Sequence, residues 1–213
     1  MRTTLQVTTP PAGEPVTVEQ VKQHCRIDSN ADDDLLAGYL TAARIMAEGY
    51  LSRALLTQTL LWTVRPSSGQ RSEHNRLPGP LELPRAPVQS IASVVTLDAW
   101  GNSTTVLPAA LPLAPPAVIL GYLLDLALEP ATLLIGRETV LGGGLSFRDT
   151  RLQHLQVTMV AGYGAATDVP ATIIQAIMMT TAFLYEHRGD AGGTMPEAAQ
   201  WLLDRHRLQF LGG

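Results

Sequence analysis

Lysine is nearly absent from this chain: Lys22 is the only one among 213 residues, and the other fourteen basic residues are arginines. Charge as a whole is scarce. Charged residues make up 16% of the sequence, against roughly 25% in an average soluble domain. The 19 acids outweigh the 15 bases, for a net charge of -4, a balance that argues against a basic nucleic-acid binder. Cysteine is limited to Cys25, which excludes an intramolecular disulfide framework. Long apolar runs are missing too. The longest uncharged stretch, Ala99 to Leu124, is broken by Pro108, Pro112, Pro115, Pro116 and Gly121 and does not read as a membrane span. The opening residues MRTTLQVTTPPAGEP lack the apolar block of a secretory signal. The expectation is a soluble protein made and kept in a cytoplasm.

What remains is an apolar chain with a small net charge, the opposite of a disordered composition. At this mass a single compact fold buries roughly 70% of the unfolded chain's surface, enough for a core without staples. Proline divides the chain: nine of its fifteen fall between residues 66 and 116, whereas 16–62 and 168–211 carry only Pro170 and Pro196. The ends therefore read as helical and the middle as extended.

Thr17 to Gln20 (TVEQ) is a capping box, in which Thr17 caps the third amide and Gln20 reaches back, with Val16 and Val21 as the staple. Asp32, Asp33 and Asp34 favour a second helix start, where carboxylates meet the positive end of the dipole. Leu36, Leu40, Ala43, Ala47, Tyr50 and Ala54 then follow at helical spacing. Strand patterns begin at Leu60 to Val64 and recur at Val88 to Leu97, which Asp98 to Asn102 would turn into a hairpin. Tyr122 to Leu128 and Leu133 to Ile135 flank a second turn, and Leu155, Val157 and Met159 alternate with Gln156 and Thr158. After the turn AGYGAATD a helix runs from Pro170 to Arg188, and a last one opens on a second capping box, Thr194 to Glu197, and reaches about Gln209. Residues 136–151 read as a loop. No repeat occurs at a solenoid period.

Candidate chemistry is thin. Asp28, Asn30, Asp32 and Asp34 resemble the start of a calcium loop, but position six is Asp33 and position twelve is Tyr39, where glycine and glutamate are required. Helix capping accounts for these acids better. Gly162-Tyr163-Gly164 lies between strand and helix like a dinucleotide loop, yet its third glycine position is Thr167 and no strand-borne acid follows. Gly142 to Gly144 lacks the Lys-Ser/Thr of a phosphate loop. The five histidines (24, 74, 154, 187, 206) have no zinc spacing, and the nine serines no nucleophile motif. No catalytic residue, cofactor or metal is expected.

Two helical segments stand out. Residues 171–188 are apolar around most of the circumference, through Ile173, Ile174, Ile177, Met178, Met179, Phe183 and Leu184; such a helix is covered on all sides, either within one domain or by a neighbouring subunit. The tail from Trp201 to Leu211 interleaves Arg205 and Arg207 with Leu208, Phe210 and Leu211. A frayed terminus is the ordinary reading, but arginine beside aromatic and aliphatic groups is also the composition of partner anchors.

In order along the chain, the blocks VTVEQVKQHCRID, ADDDLLAGYLTAARIMAEGYLSRALLTQTLLW, LPRAPVQSIASVVTLDAWGN, VAGYGAATDVPATIIQAIMMTTAFLYEHRG and PEAAQWLLDRHR resemble the phage head-tail connector (adaptor, head-completion) proteins of long-tailed phages and gene transfer agents. The Leu-Pro-x-x-Pro-Val strand entry, the Asp-x-x-Gly turn and the Gly-Tyr-Gly to Val-Pro helix start carry most of the specificity. The resemblance implies an α+β fold in which N- and C-terminal helices (1–56 and 165–213) form a helical bundle around a β-rich insertion (57–164). It also implies a structural virion protein without enzymatic activity. About a dozen copies would form a ring under the portal, joined to a stopper or other tail-side neck protein, with DNA passing through the lumen without specific binding. On this reading Trp201, Arg205, Arg207, Leu208, Phe210 and Leu211 dock on the portal. The alternatives are a stopper or another neck protein, or a small-ligand or enzymatic α+β domain with its site at Gly162 to Asp168.

Overall fold

The computed structural model describes residues 2–65, 80–97, 100–108, 121–135, 154–188 and 194–209. They form two compact units, one of strands (1–10 and 58–161) and one of helices (11–57 and 162–213).

The described residues of the strand unit form eight strands in two antiparallel sheets. The larger sheet is ordered β1-β2-β8-β4-β5, from Arg2–Thr9, Gln58–Arg65, His154–Ala161, Val88–Leu97 and Ser103–Val106; the smaller is ordered β3-β7-β6, from Leu81–Glu82, Thr132–Ile135 and Tyr122–Asp125. β2 and β8 show why the larger sheet forms. Each alternates buried and half-buried positions, and the register sets Leu60 opposite Met159, Trp62 opposite Val157 and Val64 opposite Leu155. All six are buried, so one face of the central pair is a continuous apolar layer. Val94 of β4 extends it across Val157. In the smaller sheet Leu81 pairs with Leu133, and the Leu83 amide donates to the Ala131 carbonyl at 2.9 Å.

The helical unit contains α1 (Val18–Cys25), α2 (Asp33–Leu51), α3 (Ala171–Glu186) and α4 (Glu197–Asp204). The Thr17 capping box is complete: the Gln20 amide donates to the Thr17 hydroxyl at 3.2 Å, and the Thr17 amide to the Gln20 side chain at 2.8 Å. α1 and α2 both end on left-handed residues, Arg26 and Ser52. One apolar core joins the elements. Val21 of α1, Leu36, Leu40, Ala43, Ala47 and Leu51 of α2, Ile173 and Ile177 of α3, and Ala199 and Leu203 of α4 are among its buried members. Along α3 no residue from Ile173 to Tyr185 is exposed.

Three expectations need correction. Among the described residues the fold is a mixed α+β arrangement of four α-helices and eight strands, not a helical bundle with a β-rich insertion. The chain does not begin with a helix: Arg2–Thr9 is the edge strand of the larger sheet. Its sequence RTTLQVTT is rich in β-branched residues but buries neither face, so the apolar alternation that marks a strand is missing. The second capping box does not form either. α4 starts after Pro196, with no side-chain cap, because proline pre-sets the backbone two residues beyond Thr194. The loop expected at 136–151 lies outside the described residues.

Candidate partner-binding surface

The residues singled out at the C-terminus sit where α4 ends and the chain returns to α2. Four hydrogen bonds fix this return. The Tyr50 hydroxyl donates to the Asp204 carboxylate, Arg53 Nε donates to the His206 carbonyl at 2.6 Å, the Leu208 amide donates to the Leu51 carbonyl at 2.9 Å, and the Thr172 hydroxyl lies 2.8 Å from His206 Nε2. Leu208 is buried, so it belongs to the core and holds the base of the tail. Outside this anchor lie the groups that face water. Trp201 is 65% exposed on the outer side of α4, with the Arg205 guanidinium 5.7 Å from its ring centroid. Arg207 sits 5.0 Å above the Tyr50 ring. Stacking on an aromatic face leaves the guanidinium edge free for a carboxylate. Phe210 and Leu211 lie outside the described residues.

The electrostatics of this corner are positive on an otherwise acidic protein. Burial and then the charges of Arg53 and Arg205 push the His206 imidazole below its ordinary pKa. The hydrogen bond to Asp204 pushes the Tyr50 hydroxyl up.

Asn30 and Asp32 of the stretch that resembled a calcium loop, and Asp33 between its acids, are engaged by the chain itself. Lys22 Nζ binds Asp33 Oδ1 at 2.9 Å and also the Asn30 side chain. Asp32 Oδ2 accepts from the Tyr185 hydroxyl at 2.7 Å and from Arg188 Nη2 at 3.3 Å. The Tyr185 bond, followed by Arg188, holds the Asp32 carboxyl below the usual range. These contacts tie the start of α2 to the end of α3. Among the described residues no group of three His, Cys, Asp or Glu could hold a metal ion, and no helix is long and apolar enough to cross a membrane.

The Gly162 to Asp168 turn is a packing device. Gly162 has φ +134°, and a Cβ there would lie 2.3 Å from the Leu56 carbonyl oxygen. The turn's amides have protein partners: Tyr163 donates to the Leu55 carbonyl at 3.2 Å and Ala165 to Asp168 Oδ2 at 2.8 Å, while the Gly164 carbonyl accepts from Thr57 N at 3.2 Å. A phosphate-cradling turn keeps such amides for its ligand. The remaining histidines are dispersed. His187 stacks on Phe183 at 4.2 Å, and burial pushes His154 down.

Sequence reasoning missed one buried polar group. Arg44 donates from Nε to Glu14 Oε2 at 2.7 Å and from Nη1 to Glu48 Oε2 at 3.1 Å, and Glu48 Oε1 accepts the Leu55 amide at 2.9 Å. The i, i+4 spacing of Arg44 and Glu48 was the available signal, but such a spacing does not tell a buried pair from a surface one.

Residues 15–96 match a family model described as phage gp6-like head-tail connector protein. No curated protein matches the chain significantly by sequence. Among solved structures, a chain in the neck of an empty GTA particle computed with C6 symmetry matches at a TM-score of 0.69 and 25% identity, over 99% of this chain and 98% of that one. A chain from the virion of a native gene transfer agent particle (TM-score 0.65, 23% identity, covering 98% of each chain) has the same fold. So does one from the neck of a native GTA particle computed with C12 symmetry (0.65, 24% identity, 99% and 98%). The family match over residues 15–96 and the full-length fold match together establish the chain's resemblance to the phage head-tail connector proteins.

Proposed function

We propose that this protein is a structural component of a head-tail junction, present as a ring of identical subunits in the neck of a phage-like particle. The observation that carries the reading is the match of both units, over 99% of the chain, to a protein in the neck of a GTA particle. Necks computed with C6 and C12 symmetry support a ring. Such a ring needs two unlike interfaces on each subunit. The C-terminal corner supplies the third contact, toward the portal. There Trp201, Arg205 and Arg207 present an exposed aromatic ring and two guanidiniums, the side chains most often found at the centre of interfaces. Leu208 anchors the segment and Phe210 and Leu211 continue it. The tail side meets a stopper or other neck protein, and DNA passes through without specific binding, which an acidic net charge of -4 per copy supports.

Electron microscopy of particles carrying the tagged protein tests the reading, with label expected at the neck under the portal. Label on the capsid or tail tube would overturn it. For the portal contact, Trp201→Ala/Arg205→Ala/Arg207→Ala is expected to lose portal association while keeping its circular dichroism. Unchanged association would remove that contact.

A further inference from the structure

We infer that the outward face of α2 is the surface on which a helix of the neighbouring copy lies in the ring. This rests on the ring reading above and names the residues that form the contact. α2 turns its charges inward: after Asp34 its only charged residues are Arg44 and Glu48, and both are buried. Their partners belong to the same chain, with Glu14 beside Arg44 and the Leu55 amide on Glu48. The side turned to solvent therefore has no charge from Leu35 to Ser52, whereas the outer face of a surface helix is ordinarily its charged one.

Hydrophobic residues take the place of charge. Among the described residues the helical unit exposes three large hydrophobic side chains, Leu35 at 37%, Ile45 at 57% and Trp201 at 65%. Two of them are on this face. Leu35, Gly38, Ala42, Ile45 and Gly49 follow one another by alternating steps of three and four, opposite the buried row Leu36, Leu40, Ala43 and Ala47. Such steps form the seam along which a second helix packs.

Gly38 and Gly49 belong to that seam. A Cβ at either would meet nothing within 4 Å, so no neighbour inside the chain requires glycine, and glycine inside a helix weakens it relative to alanine. What glycine supplies is room. With Ala42 between them, the two glycines let another helix approach closely while Leu35 and Ile45 pack against its sides.

A second copy is the occupant that fits. The necks whose chains match 99% of this one were computed with C6 and C12 symmetry, and in a ring each subunit meets its own kind on two unlike sides. Every copy here has a net charge of -4, so acids on a face between copies would repel, and a face without charge avoids this. A basic partner would select acids at this seam, and nucleic acid would select arginine or lysine; the seam has neither. The contact is not α2 on α2, because a face paired with itself closes after two copies.

Filling the seam tests this. Gly38→Leu/Gly49→Leu is expected to melt at or above the wild-type temperature, since the new side chains meet nothing in the chain and leucine is the better helix former. Its incorporation into particles should nevertheless fall about tenfold or more, as overpacking a fitted contact does. Wild-type incorporation overturns the inference and leaves the ring reading intact. A melting temperature well below wild type would mean that the face is packed within the chain, which also overturns it. In a second experiment Leu35, at the edge of the seam, is replaced by photoreactive benzoylphenylalanine, and assembled particles are irradiated. The expected product joins two copies of this chain, with the linked peptide outside α2. A link to α2 itself, a link to a different protein, or no link in particles whose neck ring is visible by electron microscopy overturns the inference. Particles without the wild-type protein in the neck refute the ring reading itself.

Discussion

Removal of the Glu48 carboxylate is the sharpest test of how the helical unit holds together. Arg44 and Glu48 are both buried, and their side chains are 9% and 11% exposed. Two unit charges 4 Å apart attract by about 4 kcal/mol at an effective dielectric of about 20, but each ion loses several kcal/mol of hydration on burial. The intact pair is therefore worth little net. Breaking it is another matter. Glu48→Ala leaves the Leu55 amide without its 2.9 Å acceptor, a cost of about 1–3 kcal/mol, and strips Arg44 of one of two carboxylates. Because Glu14 remains at 2.7 Å, the total should fall at the lower end of the range for a broken buried pair, about 3 kcal/mol. Glu48→Gln keeps an acceptor for Leu55 and should cost about half as much. Arg44→Met/Glu48→Gln keeps that acceptor and removes both charges of the pair but leaves Glu14 without its cation, so it should be somewhat less stable than Glu48→Gln alone and still more stable than Glu48→Ala. Urea unfolding followed by far-ultraviolet circular dichroism would measure all three, with an unchanged slope confirming that the variants unfold alike. A loss below about 1 kcal/mol for Glu48→Ala, or a double variant as unstable as Glu48→Ala, would refute the reasoning.

Gly162→Ala should destabilise the helical unit by at least about 2 kcal/mol, since the new Cβ meets the Leu56 carbonyl at a φ of +134°; thermal unfolding would show it, and a wild-type melting temperature would contradict it. Asp32 has a lowered pKa, chiefly through Tyr185, so the folded state binds fewer protons than the unfolded one. Its contribution is present above the ordinary carboxylate range and is lost as pH falls through the lowered value. Tyr185→Phe should raise the Asp32 pKa in an NMR titration; no movement would mean that Arg188 alone sets it. His206 is likewise lowered, by burial first and then by Arg53 and Arg205. Its neutral form is the folded one, so the anchor is complete above the ordinary imidazole value and weakens as pH falls below it. The protection of the Leu208 amide, bonded to Leu51, against hydrogen exchange relative to its intrinsic rate should fall between neutral and mildly acidic pH, and His206→Gln should abolish that fall.

The parts of the fold legible in the sequence are those that bury one face. β8 announces itself by alternation because Leu155, Val157 and Met159 point into a core while their neighbours do not. α2 does so through Leu36, Leu40, Ala43 and Ala47. β1 was illegible for the converse reason: as an exposed edge it needs no apolar pattern, and the main-chain ladder to β2 holds it. The Thr194 box shows that a capping motif is a local option which a proline two residues on can overrule. At the candidate surface, Trp201 and Arg205 could be picked out by type, but not the core position of Leu208, which depends on a bond to Leu51 far away in sequence. Long-range contacts of this kind leave no local signature.

The scarcity of charge acquires a use in the proposed ring. If the ring held twelve copies, they would gather 12 × 4 = 48 net negative charges in one assembly. Charges on touching subunits lie within a Debye length, about 8 Å at physiological salt, so their repulsion is only partly screened. A subunit with the ordinary share of charge and a larger imbalance would pay more to close the ring. Here several of the few charges are also neutralised within the chain: Lys22 by Asp33, Arg44 by Glu14 and Glu48, and Arg188 by Asp32. The lone lysine is thereby accounted for, since it clasps the start of α2 and takes no part in the surface where Arg205 and Arg207 stack on aromatic rings. Arginine at that surface and little net charge elsewhere are what a subunit needs if it must touch copies of itself on two sides and a partner on a third. An added block of surface charge away from the contacts, for instance three exposed glutamates, should therefore leave the monomer folded yet weaken ring formation most at low salt, and a loss of assembly that does not respond to salt would break this link between composition and assembly.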